Sequence, residues 1–155
     1  MKKAFAITAV ILIVGAIVGA SWLFQPHRDV TKSNADHHMK VEALVDEYLK
    51  DGKAANAKYL ATDGDSKIIS LSGTINKIRQ SSDGRTIVVL KQKGSKAGFQ
   101  CLFVAEADTA GLHLQNTAII KGVLRAGPGY DDDLEMYENG YLEECTLVEP
   151  IFLDR

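Results

Sequence analysis

Cysteine is scarce in this chain: Cys101 and Cys145 are the only two in 155 residues. Neither lies near the apolar amino-terminal run, which excludes a lipoprotein processed at a lipid-modified cysteine. Two cysteines without spaced histidines do not make a zinc knot. His37 and His38 are adjacent, so on an extended segment they point apart and chelate poorly, and His27 and His113 are isolated. The acidic stretch GPGYDDDLEMYENGYLEEC fails as a calcium loop. Counted from Asp131 it needs glycine at 136 and glutamate at 142, and it has Met136 and Leu142. Asp131, Asp133 and Glu135 are left as a weak cation site at most, so no metal is expected. There is no phosphate-binding glycine loop and no nucleophile set beside a base and an acid, so neither a cofactor nor enzyme activity is expected.

Charge of one sign is also lacking overall, since the net charge is −2 and names no partner. Its distribution is uneven. Residues 67–125 carry nine basic and three acidic groups, whereas residues 126–155 carry nine acidic groups and only Arg155. A basic block followed by an acidic one is expected to neutralise itself within one fold.

What is present begins with one long apolar run. Residues 4–24 hold no charge and follow Lys2 and Lys3. As a helix, 21 residues span roughly 30 Å, the thickness of a bilayer core. Trp22 stands near the outer end, where an indole suits the interface, and the two lysines favour a cytoplasmic amino terminus. A cleaved signal peptide is the alternative, with Val18, Gly19 and Ala20 offering small residues before a cut. The run continues through Trp22, Leu23 and Phe24, longer than such a peptide needs, so an uncleaved anchor over residues 1–25 is favoured. The expected location is the inner (cytoplasmic) membrane, single-pass, with the carboxy-terminal domain extracytoplasmic. Gly15 and Gly19 form a GxxxG pair that can bring two such helices together as a homodimer. Residues 26–37 read as a polar tether, residues 38–150 as the folded domain and residues 151–155 as a tail.

Within the domain, Val41, Leu44, Val45, Tyr48 and Leu49 recur at helical spacing, with Asp36 as a candidate cap and Gly52 interrupting the pattern before it resumes to Leu60. The period then becomes two. KIISLSGTINKIR, TIVVLKQK, FQCLFVAE, NTAIIKGVLRA and YLEECTLVEP read as five strands, the first two joined by a hairpin at Asp83 and Gly84. EADTAGLHL is expected as a short helical link between strands three and four. A mainly β chain of five strands in this order, preceded by a helix, is the element order of an OB-fold barrel. Gly73 suits the sharp bend that the first strand needs, and Gly122 is assigned a similar structural role in the fourth.

The stretch YLKDGKAANAKYLATDGDSKIISLSGTINKI resembles the opening of the tRNA-anticodon-like OB-fold family of small bacterial proteins. The resemblance rests on Ala55, Lys58 and Tyr59, then Leu71, Gly73 and Ile75, with FQCLF, IIKG and LEECTLV at strands three to five. The apolar segment followed by PHRDV is similar to membrane-anchored members of Bacteroidetes type. The resemblance covers residues 38–149 and implies architecture far more than activity.

Two functional readings follow. The favoured one is a membrane-tethered, extracytoplasmic binding or scaffolding module for an envelope protein or oligosaccharide. Its contact surface would be Lys77, Arg79, Arg85, Lys91 and Lys93 with the connection between strands four and five. The alternative is a single-stranded nucleic-acid-binding module, disfavoured because TIVVLKQK has no aromatic residue on which a base can stack. Cys101 and Cys145 fall in neighbouring strands of such a barrel and are either a disulfide or two buried thiols. A bridge closing about 40 residues would stabilise by a few kcal/mol.

Overall fold

The computed structural model describes residues 29–62 and 65–151, and the backbone alone of residues 149–151. The expected anchor, its Gly15 and Gly19, and residues 152–155 lie outside the described residues. Among those described, no helix is long and apolar enough to cross a membrane.

The elements run β1 (His37–Lys40), α1 (Val41–Lys50), α2 (Gly52–Tyr59), β2 (Ile68–Gln80), β3 (Thr86–Leu90), β4 (Phe99–Phe103), β5 (Thr117–Ala126), β6 (Gly129–Asp131), β7 (Met136–Glu138) and β8 (Gly140–Ile151). The principal sheet has the order β1-β2-β3-β4-β8-β5, and β5 pairs back onto β2. β2, β3, β4, β8 and β5 therefore close into a five-stranded barrel, with β4 and β8 parallel and the other contacts antiparallel. This is the OB arrangement.

β2 makes closure possible because it serves two neighbours in succession. Ile68 to Thr74 pair with β5, and Ile75 to Gln80 pair with β3, with a bulge between Ile75 and Lys77. Gly73 sits just before this handover. A Cβ there would lie 2.7 Å from Cγ1 of Val41, so its absence lets the start of α1 lie against the bent strand. The inward side of the barrel is filled by Leu71, Ile75, Val88, Leu90, Phe99, Phe103, Ile120, Leu124 and Leu142. Leu44, Val45, Tyr48 and Tyr59 of the two helices join the same core.

The helical pattern splits into two helices at Asp51, whose side chain accepts a hydrogen bond from Ala54 N at 3.0 Å. The residues that the sequence marks for this region form a network. Glu47 accepts from Lys58 Nζ at 2.8 Å and from the Tyr59 hydroxyl at 2.7 Å, and the His37 ring meets Tyr59 edge-on at 5.2 Å. Lys58 and Tyr59 hold the carboxyl of Glu47 below its usual range. The pair fastens α2 to α1, so the marked residues act on the fold.

Three expectations differ from the structure. Residues 29–36, expected as part of a tether, lie on the barrel: Val30 is buried with Ile68 and Val123, and Lys121 Nζ donates to the carbonyls of Thr31 and Ser33 at 3.2 and 2.9 Å. Asp36 does not cap α1. It exchanges bonds with Ile68 instead, the side chain accepting from Ile68 N at 2.8 Å, and the next four residues form β1. The link at residues 104–116 is not a helix but a series of tight turns, closed by bonds from Ala107 N to Val104 O, Leu112 N to Thr109 O and Asn116 N to His113 O.

Candidate binding surface

Of the five basic residues expected to form one surface, the structure brings three towards one end of the β2 and β3 pair. Lys77 stands opposite Val89, and Arg79 opposite Ile87. Arg79 donates to the Gln100 side chain on β4. Arg85, in the turn between β2 and β3, is held by its own neighbour, Nε lying 2.7 Å from Asp83 Oδ2. Lys91 and Lys93 follow β3 in the turn at its other end, some 20 Å along the strand from Arg85 at 3.3 Å per residue. There the ammonium of Lys91 donates to the Lys96 carbonyl at 3.3 Å. The expected cluster is thus two separate groups.

Between these groups lies an outward strip that is more apolar than the sequence pattern suggests. Val88, Leu90, Cys101 and Phe103 point into the barrel, so Ile87, Val89 and Leu102 point out, yet these three are only 8%, 7% and 4% exposed. Register continues the strip from Gln100 onto Tyr141 of β8. Burial pushes the Tyr141 phenol up from its ordinary value. Beyond it, Arg125 Nε pairs with Glu143 at 3.0 Å and its Nη2 lies 3.5 Å from Glu144. Sequence reasoning missed Gln100, Tyr141 and this ion-paired group. Only the pairing of β4 with β8 brings them beside Lys77 and Arg79, and no local signal carries that pairing.

The connection between β5 and β8 is a second, smaller sheet, β6 paired with β7. Asp131 holds its tip, accepting from Asp133 N at 2.8 Å and Leu134 N at 3.0 Å. Tyr130 and Tyr137 pack edge to face at 4.9 Å, and Lys96 Nζ lies 5.2 Å over the Tyr137 ring. Gly98 N donates to the Asn139 side chain at 2.8 Å and Gly98 O accepts from Gly140 N at 2.9 Å, which latches the hairpin to the turn before β4. Direct pairing between the basic and acidic blocks is made by Arg125 with Glu143 and Glu144, whereas among the described residues no ion pair joins Asp131, Asp132, Asp133, Glu135 or Glu138 to a base. Nor does any group of three His, Cys, Asp or Glu stand where it could hold a metal ion. Tyr130, Leu134 and Met136 are at least half exposed on the hairpin.

Cys101 and Cys145 are both free and fully buried. The strands are neighbours as expected, but the residues are not opposite one another: Cys101 faces Leu142, and Cys145 faces Phe103. Burial, followed by the neighbouring Cys101, pushes the Cys145 thiol well above its usual range. A neutral, enclosed thiol is a poor nucleophile. Protein made under reducing conditions should therefore resist iodoacetamide while folded and take up two labels per chain once denatured, as read by mass spectrometry. Rapid labelling of the folded protein would contradict this burial.

No curated protein matches the chain. A closed barrel with this strand order, entered by two helices that Glu47, Lys58 and Tyr59 lock together, agrees with a family model, tRNA_anti-like, that matches residues 1–124 from the apolar run into β5: the chain belongs to the tRNA_anti-like family.

Proposed function

We propose that this chain is a binding module held at the inner (cytoplasmic) membrane by its apolar amino-terminal segment. Its barrel is extracytoplasmic and presents the outward face of β2, β3 and β4 to an envelope protein. The observation that carries this reading is the exposed pair Lys77 and Arg79, which stands beside half-buried Gln100 and Tyr141 over the sheltered Ile87, Val89 and Leu102. Arginine and tyrosine held on a firm apolar floor suit protein contacts. Single-stranded nucleic acid needs stacked aromatic side chains, and this strip offers Tyr141 alone. The half-exposed hairpin at β6 and β7 is the second element within reach of a partner. No catalytic role is proposed for any residue.

Cross-linking in intact cells tests the reading. A photo-reactive residue placed at Gln100 should capture envelope proteins, and Lys77→Glu with Arg79→Glu should abolish the capture. Capture that survives the double reversal would remove this face from the proposal. A salt-sensitive shift of single-stranded DNA would replace the reading with nucleic-acid binding. The anchor is tested separately: carbonate washing should leave the full-length chain with the membranes, and release of a shortened form would show cleavage instead.

A further inference from the structure

β8 is paired on both sides for only part of its length. Its first half lies between β4 and β5, and the β4 pairing ends where Phe103 meets Cys145. One further bond, from Val104 N to Cys145 O at 3.1 Å, carries the ladder just past the end of β4. β8 then continues to Ile151 with β5 alone as its neighbour. Among the described residues, no hydrogen bond joins the backbone of Thr146, Leu147 or Val148 to the turns at residues 104–116. Val148 has no partner in β5 either, since Ile119 stands opposite Glu149 and Ile120 opposite Leu147. This short edge is therefore open to pairing with another strand.

A cavity of about 340 Å³ follows the same edge. Thr146, Leu147 and Val148 line it from β8, and Ala107, Asp108 and Gly111 line it from the turns after β4. The lining is mainly apolar, with Thr146 and Asp108 as its polar side chains. Leu147 and Ala107 rest against the core, which gives the cavity a firm floor, while Val148 is 49% exposed at its rim. Asp108 is the one carboxylate of the lining. Its Oδ1 accepts from Ala110 N at 3.0 Å, and among the described residues no ion pair reaches it.

We infer that this edge binds an extended peptide segment of a partner protein by strand addition. The incoming strand takes over from β4 beside Thr146, Leu147 and Val148 and pairs with their backbone groups. One of its apolar side chains enters the cavity between Leu147 and Ala107, and a lysine or arginine beside it meets the Asp108 carboxylate. The coincidence of edge and cavity favours a peptide over a small apolar molecule. The latter fills the cavity without pairing the edge, whereas an extended backbone repeats donors and acceptors at the spacing of the strand it joins and places alternate side chains in pockets. The bulge at Val148 limits the paired stretch to a few residues, so the segment is short. The edge lies past the end of β4, apart from Lys77 and Arg79, so either site can fail without the other.

Amide NMR of the full-length chain in detergent tests it, with a short acetylated and amidated peptide of alternating valine and threonine that ends in lysine. The peptide should shift the amides of residues 107–111 and 146–148 and slow hydrogen exchange at residues 146–148. The same peptide N-methylated at alternate residues keeps every side chain and loses backbone donors, and it should bind at least about tenfold more weakly. Asp108→Asn keeps the acceptor for Ala110 N and removes the charge. It should weaken the lysine peptide about threefold and leave a peptide with glutamine in place of lysine unchanged. Equal binding of the N-methylated peptide would reduce the contact to side chains and overturn strand addition. So would an absence of shifts, or shifts confined to β2, β3 and β4. Concentration-dependent shifts at residues 146–148 without peptide would make the occupant a second copy of this chain and overturn the choice of partner.

Discussion

Gly122→Ala is expected to lower the stability of the barrel by about 3 kcal/mol, the upper part of the overpacking range. The backbone at Gly122 does not lie in the left-handed region, so the cost comes from space alone. A Cβ at this position would stand 2.6 Å from Cys145 Sγ, 2.9 Å from the Glu143 carbonyl oxygen and 3.3 Å from Leu142 Cβ. β5 cannot retreat, because it is hydrogen-bonded to β2 on one side and β8 on the other. The thiol can rotate, but the carbonyl is backbone and cannot. Urea unfolding should show a lower midpoint with an unchanged slope. Gly52→Ala is the control: nothing lies within 4 Å of a Cβ at the start of α2, so it should fall within about 0.5 kcal/mol of the parent or gain slightly. In the background of Cys145→Ala one of the three contacts is gone, and the penalty of Gly122→Ala should shrink by about 1 kcal/mol. A full penalty in that background would put the whole cost on the Glu143 carbonyl and Leu142 Cβ.

The same region shows what the sequence pattern can and cannot carry. All five barrel strands are legible, because Ile69, Leu71 and Ile75, then Val88 and Leu90, then Phe99, Cys101 and Phe103 mark one buried face at period two. Extrapolating that period fails at the bulge. Unbroken alternation from Ile75 would turn Lys77 and Arg79 inward; the shift between Ile75 and Lys77 resets the parity, so Ile78 pairs with Val88 and the two bases face out. β1 is not legible, since four residues acquire strand geometry only from Ile69 to Ser72, some 30 positions away. The β6 and β7 hairpin is hidden by its composition. A run of aspartates has low strand propensity, and what holds it is the Tyr130 and Tyr137 contact and the Asp131 carboxylate. The outward strip is masked for the opposite reason. TIVVL is apolar at every position but one, so it shows no alternation, and both its faces are sheltered. Of the candidate surface, then, the bases on β2 could be read but not their neighbours across the barrel, which depend on pairings of high sequence separation.

Raising the pH from 10 towards 12 is expected to destabilise the domain, and Tyr48 should be a principal cause. Burial, and after it the nearby Tyr59 and Glu47, push the Tyr48 phenol up from 10.0 to about 12. The folded state therefore keeps this proton while the unfolded chain loses it. The stabilisation is fully present below pH 10, and it is lost as the pH rises through 12, at up to about 1.4 kcal/mol per pH unit for one group. Tyr59 and Tyr141, also raised by burial, act in the same direction. Tyr48 carries a cost at neutral pH as well. It is 4% exposed, its ring lies against Gly127 and stacks on Tyr59 with centroids 6.2 Å apart, and its hydroxyl has no hydrogen-bond partner among the described residues. Tyr48→Phe keeps the ring and removes the unpaired group. It should raise stability at pH 7 by about 1 kcal/mol and flatten the fall in stability above pH 10. Urea unfolding of parent and variant at pH 7 and at several points above pH 10 separates the two effects. A variant less stable than the parent at pH 7 would mean that the hydroxyl has a partner in solution. An unchanged alkaline slope would assign the titration to Tyr59 and Tyr141.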